Sequence, residues 1–170
     1  VNYSIGGQFS FARSKVKEMN EVYRPHSYLE RTGHPVGQIF GYEVIGIYQS
    51  QADIDNREVK QLLSEVRPGD LMFKDQNGDN RIDEYDMVAL GYNSSCSEIY
   101  YSFDLGAEYK GVGFYALVQG TANYSKILNT PSVYRPLVSN NTVSKEYYNN
   151  RWTKDNPNAK YPRLTSTGSD

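Results

Sequence analysis

Two runs of alternating character, Tyr100–Tyr109 and Phe114–Asn123, limit what this chain can fold into more than any other feature. In the first, Tyr101, Phe103, Leu105, Ala107 and Tyr109 share one face. Ser102, Asp104, Gly106 and Glu108 share the other. A period of two marks a strand, because successive side chains leave a pleated backbone on opposite sides. Lys110-Gly-Val-Gly113 between the runs predicts a tight turn, so the pair predicts an antiparallel hairpin. Each arm is about ten residues, the length a tilted strand needs to cross a membrane. A half-solvated sheet of a water-soluble protein alternates in the same way. Alternation alone therefore fits both lipid and a core on the apolar side.

In residues 2–13, Tyr3, Ile5, Phe9 and Phe11 fall on one face and Asn2, Ser4, Gln8 and Ser10 on the other, which predicts another strand. Residues 14–38 are polar and broken by Pro25, Gly33, Pro35 and Gly37, and read as loop. Residues 39–48 are strand-like. Ser50 is placed to cap a short helix over 51–56, and 57–64 reads as a second, weak helical patch. Residues 124–170 are irregular apart from a short helix expected over 144–151, with 155–164 expected to be extended. No period of 20–50 residues repeats.

Composition narrows the function. The chain has 16 tyrosines but only 38% hydrophobic residues, with Leu, Ile and Val sparse for a self-sufficient core. Tyrosine has an apolar ring and a wet tip, which suits interfaces of water with lipid, sugar or protein. A net charge of -2 and the lack of a basic patch make nucleic acid an unexpected partner. No run of about 18 apolar residues predicts a spanning helix, and the first residues lack the pattern of a signal peptide. One cysteine, Cys96, excludes an intrachain disulfide. His26 and His34 lie in turn-like sequence without metal-ligand spacing.

One segment carries chemistry: Asp75-Gln-Asn-Gly-Asp-Asn-Arg-Ile-Asp-Glu-Tyr-Asp86. Oxygen-bearing side chains recur at positions one, three, five, nine and twelve, the spacing of a calcium loop. Asp75, Asn77, Asp79 and Asp86 are expected to give side-chain oxygens and Arg81 its carbonyl. Asp83 is expected to act directly or through water. Oxygen-only ligands favour calcium or magnesium over zinc, and the number of carboxylates favours calcium, which accepts six to eight oxygens. The loop departs from an EF-hand. Glycine is at position four (Gly78), and position six is Asn80, which tolerates a left-handed backbone. Position twelve is Asp86, one methylene shorter than the usual Glu. Ile82 is expected to anchor the loop to a small core. Pro68-Gly69 lies too close upstream for an entering helix, so a sensor role is not expected. The plain alternative is a surface turn, since Asp, Asn and Gly also make turns.

The phrases around this loop occur in order. They are Pro35-Val-Gly-Gln-Ile-Phe-Gly-Tyr-Glu-Val-Ile-Gly-Ile-Tyr-Gln-Ser50, Gly69-Asp-Leu-Met-Phe-Lys-Asp-Gln-Asn-Gly-Asp-Asn-Arg-Ile-Asp83, Phe103-Asp-Leu-Gly-Ala-Glu-Tyr-Lys-Gly111, Ala116-Leu-Val-Gln-Gly120 and Trp152-Thr-Lys-Asp-Asn-Pro-Asn-Ala-Lys-Tyr-Pro-Arg-Leu164. In this order they resemble a region in the C-terminal half of the barrel of SusC/RagA-type TonB-linked outer-membrane proteins of the Bacteroidetes.

The resemblance implies a mainly β fold, with antiparallel strands and long loops from a transmembrane β-barrel and a few short helices. It implies a transporter of about 22 strands in full, not an enzyme, with glycans or peptides as cargo. A SusD-like lipoprotein caps the outer mouth, and TonB acts through an N-terminal region with no match in these residues. Residues 1–170 would form one segment with no plug and an incomplete barrel. Lys110–Gly113 would be a periplasmic turn, and loops 14–98 and 124–170 would lie outside the cell. Asp104 and Glu108 would line the lumen, a reading that outweighs an acid/base pair. A competing class is a secreted, calcium-stabilised β-sandwich that binds carbohydrate. It explains the tyrosines and the acidic loop but not the ordered phrases.

Overall fold

The computed structural model describes residues 1–166. Its strands are β1 (Asn2–Phe11), β2 (Ile39–Tyr42), β3 (Val44–Ile47), β4 (Lys60–Gln61), β5 (Leu71–Phe73), β6 (Arg81–Ile82), β7 (Met87–Leu90), β8 (Ile99–Tyr109) and β9 (Val112–Ala122). Three short helices join them: α1 (Gln51–Asn56), α2 (Pro131–Tyr134) and α3 (Lys145–Asn150). The chain is mainly β. Its contacts divide it into two compact units, Val1–Ile39 with Ala89–Lys126, and Phe40–Val88 with Ile127 onward.

The first unit is built on an antiparallel sheet in the order β1-β8-β9. The hairpin expected over 100–123 is present, and its turn is tighter than expected. Lys110 and Gly111 alone make the bend, with φ of 50° and 82°. Two left-handed residues give a loop whose twist matches that of the flanking strands. Val112 and Gly113, expected in the turn, pair instead with Tyr109 and Glu108. The partner of β1 was not foreseen. It lies against β8 for ten consecutive residue pairs.

That register sorts the side chains. One face carries Tyr3, Ile5, Phe9 and Phe11 from β1. From β8 it carries Ile99, Tyr101, Phe103, Leu105, Ala107 and Tyr109, and from β9 Val112, Phe114, Ala116 and Val118. No charged or amide side chain interrupts it. The opposite face is mostly polar, with Ser4, Gln8, Ser102, Asp104, Glu108 and Gln119 among its members. Within the single chain the apolar face is open: Tyr3 is 81% exposed, Phe9 69%, and even Phe103 on the central strand 49%.

Three strand ends meet in one clasp. Ala12 N–H donates to Glu98 O, and Glu98 N–H to Asn123 O, extending both ladders by one rung. Arg13 donates to both Glu98 oxygens at 2.7 and 2.6 Å, and Asn123 Nδ2 to Glu98 Oε2 at 3.0 Å. Glu98 is buried. The Arg13 hydrogen bonds hold its carboxyl below the ordinary range against the opposing effect of desolvation.

The second unit is a set of short pairs around few buried side chains, chiefly Tyr48, Ile82, Asp86 and Tyr147. β3 pairs with β5 in antiparallel fashion and β4 with β6 in parallel. The expected cap forms: Ser50 Oγ accepts from Asp53 N–H, and the Asp53 carboxylate accepts from Ser50 N–H. Residues 57–64, expected to be helical, are not. They hold β4, because tertiary partners outweigh a weak local propensity. Arg57 donates to Tyr48 Oη and Phe73 O, and Gln61 Oε1 accepts from Phe73 N–H at 3.1 Å.

The helix expected over 144–151 is α3, capped by Ser144. α2 was not foreseen. The segment 155–164 is not simply extended. A turn closes with Asn156 N–H donating to Thr153 O, and Trp152 N–H then reaches Tyr161 O at 2.8 Å. Arg163 binds Asp70 at 2.6 Å, and Tyr161 stacks on Tyr147 with ring centroids 4.8 Å apart.

Candidate functional site

The acidic loop runs from the end of β5 through β6 to a 3-10 turn over Glu84–Asp86. Its backbone bends where the spacing predicts. Gly78 has φ +77°, and Asn80 at position six has φ +64°. Ile82 at position eight is fully buried, as expected of an anchor.

The side-chain oxygens organise the loop. Asp75 Oδ1 accepts from Gly78 N–H at 2.7 Å and Oδ2 from Asn80 N–H at 2.8 Å. Asn77 Oδ1 accepts from Asp79 N–H at 3.0 Å, and Asp79 Oδ1 from Arg81 N–H at 2.8 Å. Asn77 Nδ2 also donates to Asp79 Oδ2. The base is closed by Asp86, fully buried, whose oxygens accept from Gln76 N–H at 2.8 Å and Asp83 N–H at 2.9 Å. Asp83 turns away to accept from Tyr85 N–H at 2.8 Å.

Asn77 and Asp79 thus bond to each other, Asp75 holds Gly78 and Asn80 on its own, and the buried Asp86 holds Gln76 and Asp83. Asp83 serves the following turn. Arg81 is exposed and pairs with Lys60 in the β4–β6 ladder. Among the described residues, no three His, Cys, Asp or Glu side chains form a metal cluster. The donor chemistry still suits a hard cation. Every candidate ligand is an oxygen, and a carboxylate oxygen that accepts one N–H keeps a second lone pair.

The loop is tied to its surroundings on the β5 side. Glu43 Oε2 accepts from Lys74 Nζ at 3.0 Å and Gln76 Nε2 at 2.8 Å, and the Lys74 bond, with Gln76 second, lowers the Glu43 carboxyl. Tyr42 nearby has its phenol pushed up by burial and by Asp86, Asp83 and Glu84. Neither Glu43 nor Tyr42 stood out in the sequence. The run 39–48, read as one strand-like stretch, is broken at Glu43 into β2 and β3.

The two faces of the β1-β8-β9 sheet are the other candidate surface. Neither edge strand contains a proline or a charged residue, and their outer sides have no partner strand among the described residues. A soluble sheet normally defends such edges with charge, proline or a bulge. Both long connections leave from one end of the sheet, where Phe11, Ile99 and Ala122 lie abreast. The tight turn is at the other end.

No protein-family model matches the chain, and no curated protein matches it.

Proposed function

We propose that these residues are part of an outer-membrane TonB-dependent nutrient receptor of the SusC/RagA type. The receptor imports glycans or peptides together with a SusD-like surface lipoprotein. The sheet is a stretch of its barrel wall, in a Gram-negative outer membrane. The apolar face meets lipid and the polar face meets the lumen. The connections from the Phe11 end are extracellular, and TonB acts through a region outside these residues. The role is transport rather than catalysis.

The observation that carries this reading is an exposed apolar face between two undefended edges. Lipid covers such a face at no cost, and neighbouring strands satisfy such edges. A strand of eleven residues, such as β8, spans roughly 25 Å when tilted by about 40°, the height of the apolar band of an outer-membrane barrel. The secreted sandwich needs a second sheet against the same face, and the exposure of Tyr3, Phe9 and Phe114 favours lipid over it.

The acidic loop takes a structural calcium ion in this reading. Asp75, Asn77, Asp79 and Asp86 offer side-chain oxygens, Arg81 its carbonyl, and Asp83 acts directly or through water. The ion neutralises carboxylates gathered in a loop with little core of its own.

Site-directed labelling tests the lipid assignment. Single cysteines in a Cys96→Ser background at 102–105 and 117–119 carry a fluorophore in the full-length receptor of which these residues are a part, folded into phosphatidylcholine vesicles containing a lipid-borne quencher. Quenching at 103, 105 and 118 with none at 102, 104, 117 and 119 is expected. Quenching without alternation would sink the reading.

A further inference from the structure

The second unit holds a pocket of its own, about 270 Å³ in volume. β4 and β5 give one wall, through Gln61, Leu71 and Phe73. The loop that carries α2 gives another, through Tyr134 and Pro136, and α3 adds Tyr147. That loop is closed on itself, with Ser144 N–H donating to Ser132 O at 3.1 Å. Asp70 and Arg163 also line the pocket, paired at 2.6 Å with both side chains only 18% exposed.

Two donors in this lining have no partner. Gln61 Oε1 accepts from Phe73 N–H at 3.1 Å, Tyr48 Oη at 3.3 Å and Arg57 Nη1 at 3.4 Å, while Nε2 donates to no group among the described residues. Arg163 gives Nε and Nη2 to Asp70, and its Nη1 donates to no group among the described residues. The Asp70 acceptors are engaged: both oxygens accept from Arg163, and Oδ2 also from Arg67 N–H at 2.9 Å. The charged lining residues are Asp70, Arg135 and Arg163, which leaves one positive charge in excess. Glu65 and Arg67 beside them pair with each other at 3.2 Å, and Arg57 stands behind Gln61. The Tyr147 phenol, pushed up by burial, donates to Pro162 O at 3.3 Å and adds no charge at neutral pH.

We infer that this pocket binds a small apolar carboxylate, an aryl or alkyl body ending in one carboxyl group. The site belongs to the second unit, and the inference stands apart from the barrel reading. The walls select the body, because aromatic rings and prolines keep water from an apolar chain and pack against an aryl ring. The unpartnered donors select the head group, since a carboxylate carries acceptor lone pairs alone. The excess positive charge disfavours an ammonium and favours a carboxylate over a neutral group. The volume is small for a ligand pocket, which limits the ligand to about a dozen non-hydrogen atoms.

The test uses the full-length protein of which these residues are a part, with saturation-transfer NMR reporting contact and protein-free samples as the blank. The probes are phenylbutyrate, its amide phenylbutanamide, its amine phenylbutylamine and the dipeptide acetyl-alanyl-phenylalanine. Phenylbutyrate is expected to bind with a Kd of about one millimolar or tighter, the amide about fivefold more weakly and the amine not at all. Gln61→Glu keeps the acceptor that Phe73 N–H needs and replaces the free donor by a carboxylate oxygen. In that variant phenylbutyrate should weaken about tenfold, and phenylbutanamide, itself a donor, by no more than about twofold. Tyr134→Ala, at a side chain 64% exposed, should weaken both about threefold. Absence of contact with phenylbutyrate overturns the inference, as does equal contact with the amine or undiminished phenylbutyrate binding in Gln61→Glu. Tighter binding of the dipeptide assigns the pocket to a peptide end and overturns it too. If Gln61→Glu loses both ligands, Tyr134→Ala decides: weakened phenylbutyrate binding there upholds the site, and unchanged binding removes it.

Discussion

The indole ring of Trp152 lies against Gly69, where a β-carbon on that glycine would have to stand. Gly69 also has φ +93°, a conformation that side chains rarely adopt. The tie is reinforced by Trp152 Nε1 donating to Gln49 Oε1 at 2.8 Å and by Arg163 N–H donating to Gly69 O at 2.8 Å. Gly69→Ala therefore meets both backbone strain and a collision. A loss of about 2–4 kcal/mol is expected in denaturant unfolding of the second unit. A change below about 0.5 kcal/mol, the usual effect of a surface substitution, would mean that the ring moves aside freely.

The middle of the apolar face offers a sharper contrast. Leu105 lies near the centre of β8, and Ser102 points to the other side. In the proposed full-length receptor, Leu105→Arg should weaken folding into vesicles by about 2–4 kcal/mol, the cost of arginine near the bilayer midplane. Ser102→Arg should cost much less. Tryptophan-free folding assays, such as heat-modifiable gel mobility, compare the two. Equal costs would remove lipid from the Leu105 side.

For the acidic loop, isothermal titration with calcium should give a binding isotherm that disappears in Asp75→Ala with Asp79→Ala. The β8–β9 hairpin should be unchanged, since its ladder is built from its own backbone groups. If the wild-type chain shows no heat at millimolar calcium, the loop is a turn built only on Asp and Asn hydrogen bonds to its own N–H groups.

The Glu98 clasp predicts a pH dependence. Its carboxyl is lowered in the folded state, chiefly by the Arg13 hydrogen bond. Stability from this group is therefore present above the ordinary glutamate range, about pH 4.3, and is lost as pH falls through the lower folded value. Amide exchange at Ala12 and Glu98 should accelerate below about pH 4, and Glu98→Gln should flatten that response. Identical acid profiles in the two proteins would place the titration elsewhere.

How much of this was legible depends on range. The hairpin, the Ser50 cap and the left-handed Asn80 are local, and period two, a capping serine and an Asp/Asn/Gly spacing announce them. The pairing of β1 with β8 joins residues from 88 (Phe11 and Ile99) to 106 (Asn2 and Glu108) positions apart, and nothing in either strand names its partner. Lys110–Gly113 looked like a four-residue turn because glycines bracket it, but Val112 and Gly113 complete the ladder. Arg57–Ser64 misled because Arg57 and Gln61 are good helix formers whose side chains are claimed by Tyr48 and Phe73. The clasp was written in the residues next to the strands, Arg13 after Phe11 and Glu98 before Ile99. Only the register brings them together.

The order β1-β8-β9 has a consequence of parity. β1 and β9 both run opposite to β8, so they point the same way. A closed wall whose neighbours all alternate in direction holds an even number of strands. Three is odd, so copies joined β1 to β9 would set two strands of like direction side by side. Each open edge instead selects a neighbour running in the direction of β8.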